Sequence, residues 1–185
     1  MKAKNCLIFG GSGQIGRHLI RKLTKNNYKV IAVTRSIHQK GYQIKTQSNY
    51  GYLELEEINS FDEENISRLM KKSLICINLI GILFEKKKNH FDLIHSQLPS
   101  LLSKLALKNS LEQFIHLSAL GIESATDSKY ASSKLSGETI KMPAHISFVW
   151  GADGKIVEEY HMYDTTEMIA AIEASTLAAD AIAEE

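Results

Sequence analysis

Short apolar runs alternate with amphipathic stretches along the first three quarters of the chain. Lys4 to Phe9 reads as a buried strand, and Gln14 to Lys25 as a helix behind it. Tyr28 to Thr34 predicts a second strand. Ser36 to Gly51 is polar and reads as a loop, and Leu53 to Leu55 as a short third strand. Asp62 to Lys71 predicts a helix, with Ile66, Leu69 and Met70 on one face and Asp62-Glu63-Glu64 near its positive end. Leu74 to Asn78 is apolar up to its last residue, as a strand covered on both faces should be. Phe91 to Leu107 carries a helical stripe of Ile94, Leu98, Leu101, Leu102 and Leu105, with Pro99 expected to kink or break it. Gln113 to Ser118 predicts a fifth strand and Lys129 to Lys141 a helix. Strands alternating with helices predict an α/β fold, a doubly wound parallel sheet.

The pattern changes near Met142-Pro143. Residues 1–142 hold 21 of the 22 Lys and Arg and 12 of the 21 Asp and Glu, a net +9. Residues 143–185 hold one Lys and nine acids, a net −8, and are rich in Ala and Glu. The overall charge of +1 hides this division. Two units follow: residues 1–142, and an acidic, Ala-rich tail over 143–185. Ile146 to Trp150 and Lys155 to Met162 can pair around the Asp153-Gly154 turn as a hairpin. Asp164-Thr165-Thr166-Glu167 fits a capping box for a helix from Thr165.

The longest apolar run, Leu74 to Phe84, is too short to cross a bilayer. Met1-Lys2-Ala3-Lys4 leads straight into the first strand, so no leader is read and a cytoplasmic location is expected. Cys6 and Cys76 both fall in buried strands and read as free thiols. No Cys or His spacing suggests a metal site. Lys86-Lys87-Lys88 lacks interleaved aromatics and reads as a solvated loop, not a nucleic-acid surface. His116 reads as a core histidine, and His95 has no partner spacing.

The chemistry begins at Gly10-Gly11-Ser12-Gly13-Gln14-Ile15-Gly16. A strand precedes this stretch and a helix follows, the order that sets a diphosphate on a helix N-terminus. Gly10 and Gly11 allow the tight turn, Gly13 the approach of a pyrophosphate, and Gly16 close helix–strand packing. Arg35 ends the second strand, 19 residues past Gly16, where such folds meet the adenosine ribose. A cation in Thr34-Arg35-Ser36, where an acid would suit NAD, favours NADP(H) over NAD(H). Asn78-Leu79-Ile80-Gly81 leaves the fourth strand where a cofactor ribose would lie, which makes Asn78, Ile80 and Gly81 candidate contacts.

Ser118 closes the fifth strand, and Tyr130-Ala131-Ser132-Ser133-Lys134 opens the next helix. Tyr and Lys at i and i+4 share a helix face. An ordinary tyrosine, with a pKa near 10, is a poor acid–base group at neutral pH, and a nearby ammonium stabilises its phenolate. Lysine can also hold a nicotinamide ribose, and serine can orient a carbonyl or hydroxyl while the tyrosine passes a proton.

Residues 1–142 thereby resemble the short-chain dehydrogenase/reductase superfamily. They are most similar to its atypical, extended-like branch, which contains the NAD(P)-binding accessory subunit of respiratory complex I and its bacterial relatives. The resemblance rests on the Gly10 to Gly16 turn and on Asn78-Leu79-Ile80-Gly81. It also rests on His116-Leu117-Ser118-Ala119-Leu120-Gly121, and on Ser128 to Lys134 with Gly137-Glu138. It implies a Rossmann-type fold, nucleotide binding, and an epimerase/dehydratase-like oxidoreductase with Ser118, Tyr130 and Lys134 as its reacting set. The alternative it implies is a non-catalytic nucleotide-binding accessory or assembly factor that meets respiratory-complex subunits.

The tail departs from that pattern, with no Arg-Pro-Ser turn after Met142-Pro143. Asp153 to Ile172 weakly resembles the last strands and helix of an NTF2-like, polyketide-cyclase-type domain. A substitute sixth strand, a fused fragment and a truncated or chimeric product all fit, and a fragment or chimera is expected.

Overall fold

In the computed structural model, residues 5–86, 90–119 and 127–138 are described, Gly137 and Glu138 by backbone alone. The hairpin and helix expected over 143–185 lie outside them. Five strands, β1 (Asn5–Phe9), β2 (Lys29–Thr34), β3 (Leu53–Glu57), β4 (Ile75–Asn78) and β5 (Gln113–His116), form one parallel sheet in the order β3-β2-β1-β4-β5. The helices are α1 (Gln14–Lys25), α2 (Ile37–Lys45), α3 (Glu63–Met70), α4 (Leu98–Lys108) and α5 (Lys129–Glu138). This is the expected Rossmann-type α/β architecture.

Helices cover both faces of β1, β2 and β4, which explains their apolar centres, whereas β3 alternates Leu with Glu and is only partly buried. Leu7, Phe9, Ile31, Val33, Cys76 and Phe114 pack with Ile66, Leu69 and Met70 of α3 and Leu98, Leu102 and Leu105 of α4. Cys6, Ile8, Val30, Ala32, Ile75, Ile77 and Ile115 pack with Leu19, Ile20 and Leu23 of α1 and Ile44 of α2. Cys6 and Cys76 thus sit on opposite faces as buried free thiols, and burial pushes both pKa values up, which keeps them inert.

Three elements differ from the sequence pattern. The stretch read as a loop from Ser36 to Gly51 contains α2. Only Gly41 and Ile44 of that helix are buried, so its apolar stripe is too thin to see. A Cβ on Gly41 would lie 3.3 Å from Leu55 Cδ1, so the glycine lets α2 lie on β3. β3 itself runs on to Glu57. The predicted helix around Pro99 has a π-helical turn, Leu93–Gln97, ahead of α4, and Pro99 follows that junction. There its missing N–H falls where a fresh helical turn begins.

Candidate functional site

The side on which successive strands are added reverses between β1 and β4, although all strands run parallel. β2 and β3 extend to one side of β1, and β5 lies beyond β4. A crevice at the carboxyl ends of such strands is where ligands bind in this architecture. The glycine turn leaves β1 at that point. Gly10 has φ +84°, and a Cβ there would lie 2.9 Å from the Leu79 carbonyl carbon. Gly16 is tighter still: a Cβ would meet the Gly10 carbonyl oxygen at 2.5 Å and Gly11 Cα at 2.7 Å. The first turn of α1 is therefore pressed onto the loop that precedes it. Gly13 N–H donates to the Gly10 carbonyl oxygen at 3.0 Å and closes the turn.

α1 starts at Gly13 with no side-chain cap and no acid in its first turn. Its leading N–H groups and dipole therefore favour an anion there. Arg17, a residue not singled out from sequence, adds a guanidinium, with Nε donating to the Gly13 carbonyl oxygen at 3.4 Å. Ser12, Gln14 and Ile15 complete the turn beside Gly13. These features fit a pyrophosphate by backbone shape as well as by motif.

At the tip of β2, Arg35 is exposed. Its neighbour Ser36 caps α2 by accepting from Gln39 N–H at 3.4 Å. Glu57, at the end of β3, also faces this helix start and accepts from Ile37 N–H at 2.7 Å. One negative charge therefore already stands two residues from Arg35.

The other half of the crevice is built by β4, β5, the π-helical turn and α5. Asn78 and His116 are register partners on adjacent strands, and both are buried. Asn78 Oδ1 accepts from Ile80 N–H at 3.1 Å, which leaves Nδ2 to donate to His116 Nδ1, 3.1 Å away. The Asn78 amide thus shapes the Ile80-Gly81 exit of the strand. His116 then carries its proton on Nε2, a buried atom with no hydrogen-bond partner among the described residues. Ser118 Oγ, two residues on, is likewise a buried atom without one.

Lys134 is 4 % exposed and reaches from α5 to the end of β5, where Nζ donates to the Leu117 carbonyl oxygen at 3.3 Å. A Cβ on Gly81 would stand 3.5 Å from the same Nζ, so the ammonium lies close against the strand exit. Tyr130, one turn earlier on α5, packs its ring edge-on against His95 and Phe91, with centroids 5.3 and 5.8 Å apart. Burial first, then the Lys134 charge, pushes the pKa of both His95 and His116 down to about 4, so both are neutral at physiological pH.

The structure thus brings Asn78, Ile80, Gly81, Ser118 and Lys134 to the neighbouring ends of β4 and β5, while the Tyr130 ring packs on His95 and Phe91. Arg35 lies at the tip of β2, two strands from β4, with the glycine turn between. Sequence reasoning missed His95, His116 in a polar role, Arg17 and Glu57. For His95 and His116 no local signal existed, because each bonds a residue 38 positions away.

The profile of the NAD dependent epimerase/dehydratase family matches residues 6–145. Among curated proteins, the mitochondrial NADH dehydrogenase [ubiquinone] 1 alpha subcomplex subunit 9 of Mus musculus is 27% identical over 131 residues, 71% of this chain and 35% of that protein. The mitochondrial NADH-ubiquinone oxidoreductase 40 kDa subunit of Neurospora crassa is 23% identical over 133 residues, 72% of this chain and 35% of that protein. The chain thus spans about a third of the length of the curated relatives it matches. Among solved structures, Bordetella bronchiseptica WbmH in complex with NAD+ superposes with a TM-score of 0.60 at 18% identity, covering 74% of this chain and 51% of that one. The UDP-Glc/GlcNAc 4-epimerase of Campylobacter jejuni also gives 0.60 at 18% identity, covering 74% and 47%. These likenesses show the fold.

Proposed function

The chain belongs to the NAD dependent epimerase/dehydratase family, and from that premise we propose that it binds a nicotinamide dinucleotide across the β1/β4 switch point. The observation that carries this reading is the glycine turn, where Gly16 leaves no room for a Cβ and α1 starts uncapped. Gly10, Gly11, Ser12, Gly13, Gln14, Ile15 and Gly16 hold the pyrophosphate, with Arg17 beside them. Ile80 and Gly81 offer backbone to the ribose, and Asn78 holds that backbone in place. Arg35 meets the 2′-phosphate, which makes NADP(H) the preferred cofactor over NAD(H).

The bound nicotinamide supplies hydride transfer. The chain's own residues supply the rest. Lys134 places a positive charge at the strand exit and holds the ribose hydroxyls. Tyr130 gives or takes a proton at its phenol oxygen. Ser118 Oγ, with its hydrogen-bonding capacity unspent among the described residues, orients a substrate carbonyl or hydroxyl. The resulting activity is that of an NAD(P)-dependent oxidoreductase.

A second reading is favoured by the curated relatives, which are subunits of a respiratory NADH dehydrogenase. In it the chain binds the nucleotide structurally, as an accessory or assembly factor that meets respiratory-complex subunits. Among the described residues no helix is long and apolar enough to cross a membrane. We place the chain in the cytoplasm or peripheral to an inner membrane.

Titration of the full chain with NADPH and with NADH, followed by nicotinamide fluorescence, tests the shared premise. Saturation with tighter NADPH binding is expected. No binding of either nucleotide at millimolar concentration would remove both readings. Turnover on ketone, quinone and sugar-nucleotide panels then separates them.

A further inference from the structure

His95 lies in the π-helical turn Leu93–Gln97 and is fully buried. Such turns widen a helix by one residue and re-aim the side chains within it. Here the re-aimed ring makes two hydrogen bonds. Ile82 N–H, in the segment that leaves β4, donates to His95 Nε2 at 3.0 Å. A backbone N–H can only donate, so Nε2 carries the lone pair and the proton sits on Nδ1. His95 Nδ1 is 3.0 Å from Ser133 Oγ and donates to it, and Ser133 Oγ donates to the Tyr130 carbonyl oxygen at 2.8 Å. Donor and acceptor alternate along the whole chain, so every group in it is satisfied in one tautomer.

We propose that His95 is a positioning residue, which in its Nδ1–H tautomer clamps the exit of β4 to the first turns of α5 and so sets Tyr130 and Lys134 against the strand edge. The proposal rests on the reading of that edge as the nucleotide and acid–base site. Three further contacts point the same way. The Tyr130 ring stands edge-on to the imidazole, Phe91 stacks on it at 5.4 Å, and Phe91 and Tyr130 also touch each other, so the three rings form one cluster. Ser96 Oγ and Ser136 Oγ, 3.2 Å apart, tie the π-helical turn to α5 a second time. Gly81, next to Ile82, lies close against Lys134 Nζ at this exit, where a Cβ would stand 3.5 Å from it. The clamp therefore joins the two segments whose spacing decides where the ammonium and the phenol stand. Ring burial and the Lys134 charge keep the imidazole neutral, which the tautomer requires.

The test uses the full chain, its Ser133→Ala variant, and His95→Phe and His95→Asn. Nitrogen-15 spectra of histidine-labelled protein, assigned by loss of one signal in His95→Phe, should show His95 as the Nδ1–H tautomer. Amide exchange should rise in α5 in both Ser133→Ala and His95→Phe, by about five- to tenfold, the size one net hydrogen bond gives. Protection of α1 and β1 should stay unchanged. The double variant should exceed neither single one, because both break the same chain of bonds. His95→Asn, whose amide stands near the place of Nδ1, should restore protection of α5 but not of Ile82. An Nε2–H tautomer, unchanged exchange in α5, or an equal rise throughout the sheet would each overturn the clamp. Failure of the wild-type chain to bind NADPH or NADH would instead sink the nucleotide reading, and the exchange data would still decide the clamp.

Discussion

Lys134 Nζ donates to the carbonyl oxygen of Leu117 at 3.3 Å, so α5 is tied to the end of β5 one residue before Ser118. That bond spans 17 positions of the chain and sets the lysine of α5 beside the segment that carries the serine. In the proposed reaction the proton passes through the Tyr130 phenol. Tyr130→Phe should lower any cofactor-dependent turnover by about a hundredfold or more, the usual scale of general acid–base catalysis. NADPH affinity should change by less than about twofold, because a pyrophosphate held at α1 does not use the phenol. Steady-state kinetics alongside fluorescence titration reads both. Turnover that survives the change intact would assign the proton to another group.

Gly16 and Gly13 separate a steric role from a ligand role. A Cβ at Gly16 would stand 2.5 Å from the Gly10 carbonyl oxygen, which is backbone and cannot swing away. Gly16→Ala should cost about 1–3 kcal/mol of stability, the range of overpacking, and abolish nucleotide binding. At Gly13 the closest atom is 3.3 Å away, and the residue is exposed. Gly13→Ala should melt within about 2 °C of the wild type, since even 1 kcal/mol moves a chain of this size by about 2–4 °C, yet bind NADPH more weakly. Thermal melts of both variants, with and without NADPH, give the comparison. Equal loss of stability in the two would contradict this account of the turn.

Arg35 and Glu57 should act in opposite directions on cofactor choice. Arg35→Ala should raise the Kd for NADPH about tenfold, roughly 1.4 kcal/mol, and leave that for NADH within about twofold. Glu57 already presents a carboxylate to the start of α2, bonded to Ile37 N–H at 2.7 Å. Glu57→Gln removes that charge near the 2′-phosphate position and should improve NADPH binding relative to NADH. A ratio of the two Kd values that neither substitution moves would place the ribose elsewhere.

His95 and His116 should make the protein sensitive to mild acid. Burial and the Lys134 charge push both pKa values down to about 4 in the folded chain, against about 6.5 for an ordinary histidine. Between these values the unfolded chain takes up protons that the folded chain refuses. Their contribution is therefore fully present above about pH 6.5 and is lost as pH falls towards about 4. Among the described residues, Lys134, Tyr130 and Ser133 of α5, Phe91 and Ile82 N–H face His95, and Lys134, Asn78 and, electrostatically, His95 act on His116. Urea midpoints at pH 7, 6, 5 and 4.5 should fall less steeply in His95→Phe than in the wild type. Parallel curves would show that His95 protonates freely in the folded state.

Much of the architecture was legible because its signals are local. β1, β2 and β4 are apolar runs covered on both faces, β5 sets Phe114 and Ile115 between buried Gln113 and His116, and α1 and α3 carry clear stripes. α2 was not legible, since Gly41 and Ile44 are its only buried residues and a glycine within a polar stretch reads as a loop. The π-helical turn before α4 was hidden too, because its stripe continues through Ile94 and Leu98 whichever way the backbone is wound.

The sequence by itself determined the glycine turn, the strand–helix order around it, and the placement of Tyr130 and Lys134 on one helix face. Each depends on backbone freedom or on a helical period, and both are written within a few consecutive residues. Tertiary structure alone decided that Asn78 spends its amide on His116 and Ile80, and that His95 joins Ile82 to Ser133. The latter pair and the Asn78–His116 pair are each 38 positions apart, so only the folding of β4, β5 and α5 onto one edge brings their hydrogen-bonding groups within 3.1 Å. Burial then fixes their protonation, because a neutral imidazole is what a site already holding the Lys134 ammonium admits.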